Sequence, residues 1–132
     1  MCMSISNFEF LLQHDPIFYQ LASSAEQFFR ADPNTTLIKI RQLSEAFAKS
    51  ISFQLGISST EYKDQNGLIY LIDRKLSLDP VVKDLFHTLR KEGNKAVHEF
   101  NTSHKQAIDA LRLGQKLAVW YHRAFGNDKN FQ

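Results

Sequence analysis

The sequence predicts an all-α protein, a single-domain antiparallel bundle of about five to six helices. Three observations predict it. Every proline follows an aspartate, at Asp15-Pro16, Asp32-Pro33 and Asp79-Pro80. Aspartate at an N-cap accepts from the orphan N–H groups of a first helical turn, and proline just inside lacks the N–H that would be orphaned there. Apolar residues recur at helical spacing, most clearly Leu37, Ile40, Leu43, Phe47 and Ile51. The length of 132 residues is that of one domain, and no repeat or low-complexity tract divides it.

Taken in order, a short first helix is expected over Asn7–Gln13, with Phe8, Leu11 and Leu12 as its apolar positions. The second runs from Pro16 to Arg30 on a stripe of Phe18, Leu21, Ala25 and Phe28. The third runs from Asn34 to Leu55, and Gly56 is placed to end it. Residues 57–66 read as a loop, in which Ser58, Ser59 and Thr60 serve as linker or cap. A helix over Gly67–Lys75 follows, then one from Pro80 to Glu99. The last extends from Ser103 to Phe125, capped by Asn101-Thr102-Ser103 and closed by Gly126. Its apolar arc is wide, which suits a central position, and Gly114 and Ala118 share a stripe that admits a close neighbour. The bundle domain is thus 1–126, and 127–132 is expected to be a frayed tail or the start of a linker.

Composition narrows the function classes. Hydrophobic residues make up 43% and charged residues 23%, as in soluble globular proteins, and eleven phenylalanines suggest an aromatic core. Cys2 is the one cysteine, so no internal disulfide can form and a Cys/His zinc site is not expected. No P-loop and no HExxH motif is present. The opening residues lack the basic and apolar regions of a signal peptide, and no apolar run is long enough to span a membrane, so a cytoplasmic location is expected. The net charge of +2 makes no strong case for nucleic acid by itself, but its distribution is uneven. Residues 1–36 hold four acids and one base, which leaves the remainder basic.

The chemistry concentrates in RKEGNKAVHEF, residues 90–100. On a helical wheel Val82, Leu85, Phe86, Leu89, Ala96, Val97 and Phe100 share one arc, and Gly93 falls inside it. A glycine there costs about 1 kcal/mol of helix propensity relative to alanine, a cost that close helix packing can offset; the alternative is a local kink. The opposite face gathers His87, Arg90, Lys91, Asn94 and His98. Two imidazoles, two cations and an amide on one stripe can bind a phosphate; the plainer alternative is a solvated face partly neutralised by Glu92 or Glu99. Arg41 and Glu45 are spaced for an ion pair along the third helix, and His14-Asp15 reads as a turn pair.

Four blocks in order carry a resemblance: SNFEFLLQHDP, DPNTTLIKIRQLSEAFAK, FHTLRKEGNKAVHEF and ALRLGQKLAVWYHRAF. Together they resemble the N-terminal segment of the restriction (R) subunit of type I restriction-modification enzymes, from Ser6 to Phe125. The resemblance implies a helical domain related to HEPN domains. It implies a parent that is an ATP-dependent DNA translocase and endonuclease, working with methylation and specificity subunits and using ATP, magnesium and S-adenosylmethionine. The nuclease and helicase motifs of such a parent are absent from this chain, so none of those cofactors is assigned to it. HEPN ribonucleases pair an arginine with a histidine across four to six intervening residues, and His98 matches the histidine. Seven residues separate Arg90 from His98, and Lys91, at the right gap, lacks the guanidinium fork. The expectation is therefore a non-catalytic module that docks onto DNA or partner subunits. The alternatives are a ribonuclease using His98 and a homodimerising scaffold.

Overall fold

Each Asp-Pro pair starts a helix. In the computed structural model, which describes residues 6–126, Asp15, Asp32 and Asp79 accept hydrogen bonds from the backbone N–H groups of Ile17, Thr35 and Val81. The helices are α1 (Pro16–Phe28), α2 (Pro33–Gln54), α3 (Gln65–Leu76), α4 (Pro80–Glu99) and α5 (His104–Phe125). Short 3₁₀ turns, Glu9–Gln13 and Ser59–Glu61, precede α1 and α3. Among the described residues there is no strand. The expected tail, 127–132, lies outside the described residues.

Several boundaries differ from expectation for local reasons. The first segment is a 3₁₀ turn because it is too short to repay α-helix nucleation and runs into Asp15-Pro16, where the residue before proline is steered out of the helical region. Helix α1 stops at Phe28, before the chain turns into Asp32-Pro33. Helix α3 starts two residues earlier than Gly67 because Asp64 caps it, accepting from Gly67 N–H at 2.8 Å. The intervening loop holds its own turn, with Ser58 and Glu61 closing a capping box.

Helix α2 lies at the centre, packed against each of the other four helices. Its N-terminal end meets the ends of α1 and α4: Thr36 donates to the Ala25 carbonyl at 2.7 Å, and Asn34 to the Ala96 carbonyl at 3.0 Å. Both neighbours therefore run antiparallel to it. Helix α5 runs in the same direction as α2, since Gly114 lies beside Ile40 while Tyr121 bonds Ser50 at 2.8 Å. This is the diagonal relation of an up-down-up-down bundle. A Cβ on Gly114 would sit 3.1 Å from an Ile40 methyl, so the small-residue stripe on α5 does admit a close neighbour.

The core is partly aromatic, as the phenylalanine count suggests. Phe8, Phe18, Phe47 and Phe86 are fully buried, and Tyr121 stacks on Phe47 with ring centroids 4.8 Å apart. Other aromatics face out. Phe28 and Leu12, expected on apolar stripes, are 43% and 54% exposed. Phe100 is a plain correction: assigned to the packed arc of α4, it is 79% exposed. The helix ends at Glu99 and Phe100 turns left-handed at φ 54°, so the wheel that places it inward no longer applies.

Candidate nucleic-acid interface

Helix α4 is one continuous element of 20 residues. Its packed side carries Val82, Leu85, Phe86, Leu89, Gly93 and Ala96, all buried. Burial of that side turns the opposite residues outward. Lys91, Asn94 and His98 are exposed, while His87 and Arg90 are half-buried. The stripe expected from sequence is therefore present on one helix and reachable from solvent.

The structure also divides that stripe. Lys91, Asn94 and His98 line a shallow groove with Glu92, Lys95 and Glu99. No arginine is among the residues of this groove. Lys95 approaches Glu92 at 3.8 Å, an exposed pair of little energetic weight. Arg90 instead lines a second cavity of about 290 Å³ between helices, and Asn94 borders both. From α2 this cavity receives Arg41 and Glu45; from the start of α3 it receives Asp64, Gln65 and Asn66. Arg41 Nε lies 3.1 Å from Glu45 Oε1, the ion pair expected from their spacing, and Arg41 Nη1 donates to Asn94 Oδ1 at 3.1 Å.

Gly93 explains how Arg41 reaches this position. A Cβ built on Gly93 would stand 2.4 Å from Arg41 Cβ, 2.6 Å from Cδ and 2.7 Å from Cγ. The missing side chain is the slot in which the Arg41 stem lies across α4. Glycine is required here by close approach, as its place on the packed arc suggests, and the group that fills the space is a cation from another helix.

Several cations gather around His87 at the N-terminal end of the stripe. Partial burial holds His87 below its ordinary pKa of 6.5, and the positive charges of Arg90, Lys83 and Lys91 push the same way against Asp84 alone. Lys83 is tied to Asp73 at 3.1 Å, so its contribution is partly offset.

A second histidine cluster has no signal in the sequence. His14, expected as a turn residue, places Nε2 2.9 Å from Nδ1 of His122, which is fully buried. The rings of Phe10 and Tyr121 pack edge-on against this pair. Desolvation and the neighbouring His122 hold His14 below its ordinary pKa. Gly126 closes over the pair: a Cβ there would come within 2.4 Å of the His122 carbonyl oxygen. Among the described residues no group of three His, Cys, Asp or Glu could hold a metal ion, and no helix is long and apolar enough to cross a membrane.

Comparison with known proteins places this geometry in context. Over 129 residues, 98% of its length, the chain is 41% identical to the type I restriction enzyme EcoKI endonuclease subunit of Escherichia coli strain K12. The likeness is to a segment of a type I restriction subunit. The chain spans about a tenth, 11%, of the length of that subunit. No family model and no solved structure matches the chain.

Proposed function

We propose that the chain is a docking module of a type I restriction enzyme's endonuclease subunit, non-catalytic in itself, that lays the outer face of α4 on a DNA backbone. The observation that supports this reading best is the exposure of Lys91, Asn94 and His98 along one helix, with the half-buried Arg90 beside them and Lys83, Arg90 and Lys91 all acting on His87. Such side chains hold phosphates without reading bases, which suits a module whose sequence recognition is delegated elsewhere. In that assembly the partners are the methylation and specificity subunits, in the cytoplasm, and ATP, magnesium and S-adenosylmethionine act in the larger complex. The helical-bundle architecture fits a HEPN-related origin for the module.

The reading is tested by anisotropy of a fluorescent duplex titrated with the 132-residue chain over a salt series. Log affinity should fall linearly with log salt, and Lys91→Gln should reduce the slope by about 0.9, the value of one lost phosphate contact. A slope that Lys91→Gln leaves unchanged would contradict it. Salt-insensitive capture by the partner subunits, with no duplex binding, would replace DNA by protein as the docking surface.

A further inference from the structure

We propose that the cleft between α2, α3 and α4 is an anchoring site for one phosphodiester group, gripped by Arg90 and Arg41. The proposal rests on the reading of α4 as a DNA-facing helix and adds a residue that no stripe on α4 contains. Three independent features meet in the cleft. First, on residues that line it, Arg90 Nε and Gln65 Nε2 are shielded from solvent and have no acceptor within the protein, and Arg41 Nε makes no hydrogen bond beyond its ion-pair contact with Glu45. Buried N–H groups are seldom left without an acceptor, so two around one cavity mark a place where an oxygen-rich group is stabilised.

Second, Arg41 is preorganised. Its stem lies in the Gly93 slot, Glu45 Oε1 forms an ion pair with Nε at 3.1 Å, and Asn94 Oδ1 accepts from Nη1. The remaining guanidinium hydrogens are left to donate, as is the Asn94 amide nitrogen whose oxygen is already engaged. A fixed planar fork suits the paired oxygens of a phosphate. Third, the cleft is bounded by the opening turn of α3, a helix of 12 residues whose dipole presents its positive end there.

The charge of the lining selects among anions. Arg41 and Arg90 are balanced by Glu45 and Asp64, and those carboxylates are occupied, one by Arg41 and the other by Gly67 N–H. A neutral lining with surplus donors accommodates a single negative charge better than two. The ligand is therefore a monoanionic diester, as in a nucleic-acid backbone, in preference to a terminal phosphate dianion.

The test follows the Arg90 Nε–H resonance of the 132-residue chain by ¹H–¹⁵N NMR during titration with dimethyl phosphate, inorganic phosphate and acetate. Dimethyl phosphate should shift it saturably, more strongly than the other two, and Arg41→Gln should weaken that binding by about tenfold, one lost charge-assisted contact. A duplex oligonucleotide, and not phosphatidylglycerol vesicles, should compete for the site. An unmoved resonance, or acetate acting as well as the diester, overturns the proposal. Duplex binding that depends on Lys91 while Arg90 Nε–H stays unmoved also sinks the cleft and spares the α4 face. Saturable diester binding without duplex binding keeps the cleft and sinks the face.

Discussion

At Gly93 the whole side of a helix is shaped by one absent methyl group. Alanine would gain about 1 kcal/mol in helix propensity. It would also drive a Cβ to within 2.4 Å of Arg41 Cβ, an atom fixed to the α2 backbone that cannot swing away. Overpacking costs about 1–3 kcal/mol, and a contact this short with a fixed atom belongs at the upper part of that range, so the steric term wins. Gly93→Ala should lower the urea midpoint by a net destabilisation of up to about 2 kcal/mol, the overpacking cost less the propensity gain. A neutral or stabilised variant in urea denaturation would show that the Arg41 stem is not held as described. That Gly93 faces a packed side was legible from the helical period alone. That the packing group is the stem of Arg41 was not, because nothing in local spacing tells which side chain of α2 comes opposite.

Between elements, periodicity locates faces and misses pairings. The α4 face was readable because one helix carries all of its residues at 100° intervals. The Arg41–Arg90 cleft needs three helices to meet and leaves no trace in any single stretch. Nor does the His14–His122 contact, which ties the segment before α1 to the C-terminal half of α5. That contact has a consequence for pH. His14 binds its proton less readily in the folded chain than in the unfolded one, where it titrates near its ordinary 6.5. Below that value the unfolded state takes up more protons, so stability rises with pH. The contribution is fully present above pH 6.5 and is lost as the pH falls below it. His87, also held below its ordinary value, acts in the same direction. Thermal melts between pH 5 and about 7.5 should show falling midpoints on the acid side, and His14→Gln should flatten that limb. An acid limb of unchanged steepness in His14→Gln would remove the pair from this role. Where helices end was the other weak point: Phe100 follows the wheel on paper, yet the chain turns left-handed there and the ring goes to solvent.

For the molecule as a whole, the fold class followed from three capped helix starts and a continuous helical period, and each survives in the structure because local preference and core burial agree. The centre of the bundle, α2, holds the arrangement by packing Phe47 against Phe18 and Tyr121 while its other side sends Arg41 across to α4. Core and candidate site are thus built on the same rigid helix, which favours precise placement of the cations. The chain is 41% identical to about a tenth of a type I restriction endonuclease subunit. The most direct test of its work is to titrate the ¹⁵N-labelled chain with a short DNA duplex and map the backbone amide shifts. The account predicts that the largest shifts fall on α4 from His87 to His98, with Arg41 and the first turn of α3 beside them. Shifts confined to α1 or α5, with α4 silent, would contradict it.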